Sequence, residues 1–545
     1  MEQPLESARP SLRIDWPTLA GLTAISVLAR LILVLPWSLP VPGGFGPINF
    51  PLNQAEYTDG ILQLTLFSKG NPYWPPFYSA LAVGLGSLLG DLEMGGRLIS
   101  AIFGGLAILP ILLIAHRIGG AKSATFAALI FLVLPEPMRW GIRVMTDALF
   151  LTLFAAAIYL TMPDEQGQSQ STWRLILATM VSVLAGLTRY QGVLLILPLL
   201  WAAVSGARRG QKIWPVLAMQ VLWLAIPLWM FRGGFAHMQQ FSDRSGAALG
   251  LSRGETLLAY WNLAENYLYL FPYSISLGVF CSFLIGFFSP AGWDKPLRDN
   301  RGFWNPSPAR WLMILFFICG AAILVAQSAF GIFEFRYMLP MIAFVAPYAG
   351  IGLERIDQKL SGSRAAALIA FAVVLIPPML LSMGSLLLQR EAFGDVKAAS
   401  IRAAQIAGPN HRIYTNEFYN ARIPVVKTAF WARRPVEYDP EYRNFVRNIT
   451  NPQLPPITLP AEQRLRAGDV IIYCNLYSVG TQIQYLNYLN QIYDVDIADN
   501  VGGQIVPLLP DIMEVPGTHG NALSWFYRYQ PQTMQTLVLR IRKLK

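Results

Sequence analysis

Long apolar segments follow one another through residues 1–388, separated by short polar loops. About eleven of them have lengths of roughly 15–25 residues, which suits helices that cross a bilayer. Only 14% of the residues are charged, whereas soluble proteins carry about 25%. We therefore expect a polytopic α-helical membrane protein, with spans at Pro17–Leu35, Gly95–Ala115, Ser123–Arg139, Met145–Met162, Trp173–Leu187, Gly192–Val204, Ile213–Phe231, Tyr267–Phe288, Trp311–Phe330, Tyr337–Leu353 and Ala365–Leu388.

The net charge of +10 comes largely from short loops between these segments. If the N-terminus is inside, the inner loops carry Arg117, Lys122, Arg174, Arg208, Arg209, Lys212, Lys295, Arg298, Arg301, Arg310, Arg355, Lys359 and Arg364. This bias fits positive-inside topology and argues against a nucleic-acid partner. The fit requires the apolar run Pro76–Leu89 to lie on, or re-enter, the outer face without crossing. We expect no cleaved leader, and a first outer loop at about residues 40–94.

Composition changes after Leu388, where charge and tyrosine rise and no further span is found. Helix-like stretches alternate there with β-prone runs at Arg412–Tyr414, Val425–Phe430, Asp469–Cys474 and Leu537–Ile541. The sequence thus predicts a membrane module at 1–388 and a soluble α/β domain at 389–545 on the outer face. The cysteines 281, 319 and 474 lie far apart, so we expect no disulfide framework and no cysteine metal site.

Polar side chains collect on the outer side of this topology. A carboxylate within a membrane is expensive and is usually functional or paired. Two acids of the first outer loop are three residues apart, a spacing that puts both on one face of a helix. Solvated loop acids are the alternative explanation for these two. The set comprises Glu56, Tyr57 and Asp59, Arg143 and Asp147, Arg189 and Tyr190, and Glu334, Arg336 and Tyr337.

This combination suits group transfer from a phosphate-linked donor. Guanidinium groups bind phosphate oxygens through paired hydrogen bonds and stay charged near lipid, which is the role we expect for Arg143, Arg189 and Arg336. A nearby carboxylate accepts the proton of an acceptor hydroxyl. Soluble nucleotide sugars are scarce outside the membrane, so a lipid-linked donor fits the location. Clustered carboxylates also suit a divalent cation, but arginines already supply positive charge and we expect no essential cofactor or metal.

The order of motifs resembles the GT-C superfamily of membrane glycosyltransferases, in the branch of protein O-mannosyltransferases (glycosyltransferase family 39) and the lipid A aminoarabinose transferase. The resemblance covers about residues 15–390. It is carried by the acidic first loop, then NPYWPPFYSALAVGLGSLLGD, GGRLISAIFGGLAILPILLIAHRIGG, RVMTDALFLTLFAAAIYL, LAGLTRYQGVLLILP and FRYMLPMIAF. It implies an inverting enzyme of the inner (cell) membrane whose site faces the periplasm. The implied partners are a polyprenyl-phosphate sugar donor, membrane lipid, and a glycan, lipid or protein acceptor.

Carried onto this chain, the first-loop base falls on Asp59 or Glu56. Relatives have an adjacent Asp-Glu pair followed by tyrosine, whereas this chain has Glu56-Tyr57-Thr58-Asp59, and we favour Asp59. Asp147 matches the second-loop acid, Arg189 the arginine of an L-x-R-x-x-G turn, and Arg336-Tyr337 the late Arg-Tyr pair. Tyr57, Tyr190, Glu334 and Tyr337 are expected to line the substrate.

Two other classes of function compete with an enzyme. Inverted repeats and broken helices near the membrane midplane would indicate a transporter or flippase of lipid or sugar. The sequence shows no internal repeat, and its carboxylates are predicted at one face of the membrane instead of the midplane. The second alternative is a structural assembly protein that binds cell-wall material through residues 389–545. Such a function would not explain the acidic residues of the membrane module.

Overall fold

The structure of the protein is a computed structural model. It describes residues 16–39, 48–50, 58–65, 75–162, 171–207, 214, 217–221, 225, 274–289, 308–328, 335–389, 394–416, 426–450, 452–453, 459–475, 482–507 and 531–545. The fold over these residues is mostly helical, and elements are numbered along them.

Before residue 390 the described residues lie mostly in apolar helices. Four stretches are long and apolar enough to cross a bilayer: Trp16–Val34, Leu92–Gly119, Arg336–Lys359 and Arg364–Leu387. Shorter apolar helices accompany them, as expected of an integral membrane protein. The helices are α1 Trp16–Val34, α2 Thr58–Thr65, α3 Phe77–Leu89, α4 Leu92–Leu106, α5 Ile108–Gly119, α6 Ala121–Val133, α7 Pro135–Trp140, α8 Asp147–Thr161, α9 Thr172–Thr188, α10 Ile196–Ala207, α11 Leu277–Phe288, α12 Pro308–Ser328, α13 Leu339–Lys359 and α14 Arg364–Gln389.

Some boundaries differ from the predicted spans. The predicted span Ser123–Arg139 is divided, because Pro135 begins a separate short helix, α7, directly after α6. Proline lacks an N–H and is accommodated in a first helical turn. Gly192–Val204 begins in a 3₁₀ turn, Tyr190–Leu195, before α10. Most of Ile213–Phe231 lies outside the described residues, and the number of spans stays a prediction.

The apolar run Pro76–Leu89 forms α3, a helix of 13 residues, which spans only about 20 Å at 1.5 Å per residue. It packs closely on α4, since a Cβ on Gly95 would lie 2.4 Å from the backbone nitrogen of Gly86. Glycine at such a contact lets two helix backbones approach, as is common in membrane bundles. The position of α3 at the outer face remains a prediction.

Helix α13 is the most buried of the four long apolar stretches, since 94% of its apolar segment is buried. It packs between α6 and α11. Ser282 on α11 donates a hydrogen bond to the Ala349 carbonyl at 2.8 Å. A Cβ on Gly286 would come within 1.8 Å of the Tyr348 carbonyl oxygen. The α11–α13 contact therefore depends on small residues.

Beyond α14 the described chain forms helices around a five-stranded mixed sheet of order β4-β3-β5-β7-β6. Strand β3 pairs in parallel with β4 and β5, while β7 pairs antiparallel with β5 and β6. A short antiparallel pair, β1 and β2, lies earlier in the chain. The elements are β1 Trp37–Leu39, β2 Ile48–Phe50, α15 Gly394–Ala407, β3 Ile413–Thr415, α16 Val426–Ala432, β4 Glu437–Tyr438, α17 Pro440–Thr450, β5 Val470–Cys474, α18 Gln482–Ile492, β6 Tyr493–Pro507 and β7 Pro531–Leu544.

Three of the predicted β-prone runs coincide with β3, β5 and β7. The fourth, Val425–Phe430, is wrong, because residues 426–432 form α16. Its buried residues Ala429, Phe430 and Trp431 belong to the same apolar core as the membrane helices. Tertiary packing has therefore overridden the β propensity of this segment. The division of the chain into two domains stays a prediction.

Candidate functional site

A buried ion pair joins the start of α8 to the end of α9. Asp147 is the first residue of α8, and Arg189 follows the last residue of α9. The Arg189 guanidinium donates to Asp147 Oδ1, with the two side chains only 11% and 3% exposed. Asp147 Oδ2 is buried and has no hydrogen-bond partner among the described residues. A buried carboxylate oxygen usually has a donor, so this atom keeps an unused capacity to accept a hydrogen bond.

Two further arginines reach this pair through shared aromatic rings. The Arg189 and Arg336 guanidinium carbons lie 5.0 and 5.1 Å from the centre of the Tyr337 ring. Arg336 also lies 5.4 Å from the Trp140 ring, whose centre is 4.4 Å from Arg143. Aromatic faces attract guanidinium groups, which keep their charge there. Two aromatic rings thereby connect three arginines, one of which pairs with Asp147.

Trp140 is itself held by α7. Its indole N–H donates to Glu136 Oε2 at 2.8 Å, and the Arg139 guanidinium donates to the same oxygen at 2.9 Å. Both charged side chains are nearly buried, at 4% and 8% exposure. Their spacings of three and four residues put all three groups on one face of the helix. The ring that Arg143 and Arg336 share is therefore fixed in orientation.

The loop between Arg143 and Asp147 is held by residues of α3 and α4. Ser100 donates to the Met145 carbonyl at 3.1 Å, and the Tyr78 hydroxyl lies 3.0 Å from Ser100 Oγ. Tyr78 and Ser100 are fully buried. Met145 in turn receives Arg336 Nη1 at 3.5 Å on its sulfur. These contacts pre-organise the start of α8, which carries Asp147.

The predicted site residues divide into three groups. Asp147, Arg189, Arg143, Arg336 and Tyr337 are brought together as described. Tyr190 follows Arg189, is half-buried, and begins the 3₁₀ turn.

The remaining predicted residues belong to the first loop and to the turn before Arg336. Asp59 is the second residue of α2, and its side chain lies outside what the structure describes. Glu56, Tyr57 and Glu334 lie outside the described residues. Their roles stay predictions.

Sequence reasoning missed Trp140, Glu136 and Arg30. Trp140 lies inside the MRWGIR motif, and its i−4 spacing to Glu136 was the available signal. Arg30 lies within the first predicted span, is fully buried, and donates to the Pro137 carbonyl at 3.4 Å. A charged residue within a span is a functional candidate by default, so Arg30 could have been identified.

Metal binding has no support from the described part of the chain. It holds no group of three or more His, Cys, Asp or Glu side chains that would bind a metal ion. Asp147 already neutralises Arg189, so this carboxylate is committed to a cation of the protein itself. The expectation that no metal or other cofactor is essential stays a prediction.

Comparison with known proteins bears on what such a site does. Residues 74–231 match the family model described as dolichyl-phosphate-mannose-protein mannosyltransferase. This segment contains Asp147, Arg143 and Arg189. Over 145 residues the chain is 29% identical to the dolichyl-monophosphooligosaccharide–protein glycotransferase AglB of Haloferax volcanii, a match that spans 25% of this chain and 12% of AglB. The match thus covers only a small part of that relative.

Solved structures extend the similarity to almost the whole chain. ArnT from Cupriavidus metallidurans superposes with a TM-score of 0.51 at 14% identity, covering 96% of this chain and 98% of ArnT. The chain therefore shares the fold of this solved structure. The undecaprenyl phosphate complex of ArnT also has a TM-score of 0.51, at 13% identity and coverages of 96% and 97%. AglB from Archaeoglobus fulgidus, in complex with an inhibitory peptide and a dolichol-phosphate, has a TM-score of 0.50 at 13% identity, covering 84% of this chain and 69% of that one.

Proposed function

We propose that this protein is a GT-C-type glycosyltransferase, which transfers a sugar from a polyprenyl-phosphate donor to an acceptor hydroxyl at the outer face of the cell membrane, with inversion. The observation that carries the proposal is the buried Asp147–Arg189 pair, with one carboxylate oxygen unpartnered among the described residues and further arginines on the adjoining rings. Phosphate and a polar sugar are the ligands that such a combination binds.

The arginines would receive the donor phosphate. Phosphate forms strong, charge-assisted hydrogen bonds with guanidinium groups. The Arg189 and Arg336 guanidinium groups both lie against the Tyr337 ring, at 5.0 and 5.1 Å from its centre. One phosphate would bind both. Arg143 adds a third positive charge through Trp140. Stabilising the charge that develops on the leaving phosphate is the larger part of catalysis in such a reaction.

The chemistry needs one proton acceptor. The acceptor oxygen attacks the anomeric carbon, and the bond from that carbon to the phosphate oxygen breaks. The acceptor proton passes to Asp59, and polyprenyl phosphate leaves as an anion. Attack opposite the leaving group inverts the anomeric centre. Asp147 Oδ2 would accept a hydrogen bond from a substrate hydroxyl, and Glu56 remains the alternative base.

Donor class and location have independent support. Undecaprenyl phosphate in ArnT and dolichol-phosphate in AglB are named for two proteins that share this fold. A prenyl chain would lie against the apolar helices. The distribution of lysine and arginine among the loops favours the periplasmic side for the site and for residues 389–545. On that side, residues 389–545 would form a soluble domain that contributes to acceptor binding.

The experiment uses purified protein in proteoliposomes with a panel of undecaprenyl-phosphate-linked hexoses and pentoses. If the protein transfers the sugar, undecaprenyl phosphate will be released only when an acceptor is present. The Asp147→Asn and Arg189→Gln variants should lose this release. Arg402→Gln is the matched control, because Arg402 is 52% exposed and pairs with Asp499 far from this pair in sequence. Movement of intact donor across the bilayer without release would replace the enzyme with a flippase.

A further inference from the structure

A second buried carboxylate connects the membrane helices to the C-terminal helices. Glu93 lies in the first turn of α4 and is 9% exposed. Its Oε1 atom accepts from Arg97 Nη2 at 2.6 Å and from Arg97 Nε at 3.1 Å. Its Oε2 atom receives the Trp431 indole N–H at 3.2 Å and pairs with Lys397 Nζ at 2.9 Å. One carboxylate thus joins three helices: α4, α15 and α16.

The helix held by this contact also touches the first loop. Helix α16, which carries Trp431, packs against α2. On α2, Ile61 and Leu62 are fully buried in the same core as Phe430 and Trp431. Helix α2 begins one residue before Asp59. A chain of contacts therefore runs from Glu93 through Trp431 and α16 to the helix of the proposed base.

Burial makes this connection specific. Arg97 is 1% exposed and Trp431 is 6% exposed, so both depend on Glu93 for their polar contacts. Buried charged hydrogen bonds are strong and directional, and an unpaired buried partner is costly. The hydrogen bond from Trp431 to the buried Glu93 carboxylate therefore links α16 to α4.

We propose that Glu93 is a positioning residue that, through Trp431 and Lys397, clamps α16 onto α2 and so fixes Asp59 for proton transfer. The proposal rests on the proposed function, because it assigns Asp59 the role of base. Misplacement of a reacting group by about 1 Å can cost on the order of 100-fold in rate. Loosening the clamp therefore lowers kcat and leaves donor affinity, which depends on the arginines, nearly unchanged.

The test variants are Trp431→Phe and Glu93→Gln. Glu93→Gln keeps the side-chain size and removes the charge that holds Lys397. Trp431→Phe removes the N–H donor together with part of the ring, so the size-conserving Glu93→Gln decides whether the polar contact itself matters. The matched control is Trp173→Phe, the same change on α9 at a side chain that is 68% exposed. A nitroxide at position 64, whose side chain is 48% exposed on α2, reports the mobility of that helix. A second label at position 204 of α10, 45% exposed, reports the bundle. Cys281, which is exposed, is first replaced by serine.

The expected result is increased nitroxide mobility at position 64 and unchanged mobility at 204. The variants should have a kcat at least about tenfold below that of the wild type, with a KM for the donor within about twofold of the wild-type value. The control variant should match the wild type. Unchanged mobility at 64 would overturn the clamp, and increased mobility with unchanged kcat would overturn its role in positioning. A wild-type protein that transfers no sugar would instead refute the proposed function, while the label would still decide whether Glu93 holds α2.

Discussion

Neutralising one partner of the Asp147–Arg189 pair should destabilise the protein far more than neutralising both. The two side chains are 3% and 11% exposed, so either single change leaves a buried charge without its counterion. Breaking a buried pair in this way costs about 3–5 kcal/mol. We expect that loss in Asp147→Asn and in Arg189→Gln.

The double variant Asp147→Asn/Arg189→Gln leaves an amide pair without net charge. Most of the lost stability should return, to within about 1–2 kcal/mol of the wild type, because no charge is left unpaired. Sugar transfer should not return and should stay about 100-fold or more below wild type. The double variant lacks both the arginine that would bind the donor phosphate and the carboxylate that would accept a substrate hydrogen bond.

The assay is equilibrium unfolding in mixed micelles, with release of undecaprenyl phosphate measured on the same preparations. Arg402→Gln serves again as the exposed control. Additive losses of stability in the double variant would show that the two charges are not coupled. Recovery of transfer together with stability would show that the pair is only structural, and the reasoning about the site would be refuted.

Three further predictions concern other parts of the chain. Asp59→Asn should lower turnover by about 100-fold or more with donor affinity retained. If Glu56→Gln alone abolishes transfer, Glu56 is the base. Burial raises the pKa of Asp439 from 3.8 to about 6, so its contribution to stability is present below pH 4 and is lost, by about 3 kcal/mol, as the pH rises through 6. Opening free energies from hydrogen exchange in β5 should show this loss, and Asp439→Asn should remove it. Gly286→Val should disrupt the α11–α13 contact and lower the unfolding midpoint, whereas Gly384→Val, which meets no atom within 4 Å, should not.

The clustering of Asp147, Arg189 and Arg336 could be predicted from the sequence because a few local rules determine it. Apolar length and loop charge assigned these residues to the same side of the membrane, and a carboxylate and arginines at such a position must pair or bind a ligand. The contacts themselves could not be predicted. Asp147 and Arg189 are 42 residues apart, and only the packing of α8 on α9 decides that they meet.

Other features depend entirely on tertiary packing. Glu93 has the sequence signature of an ordinary acid in a first helical turn, which is favourable at an exposed helix start. Its burial follows from α15 and α16 packing over it. The segment 426–432 has β-prone composition, yet α16 is helical because its buried face meets α2. Neither outcome is encoded within a short window of sequence.

The most direct test of the proposed function is a structure of the protein with undecaprenyl phosphate in lipid nanodiscs. The proposal predicts density for the phosphate within hydrogen-bond distance of the Arg189 and Arg336 guanidinium groups, with the prenyl chain running along the apolar helices. Phosphate density at the bilayer midplane, or away from both arginines while the lipid is bound, would contradict it.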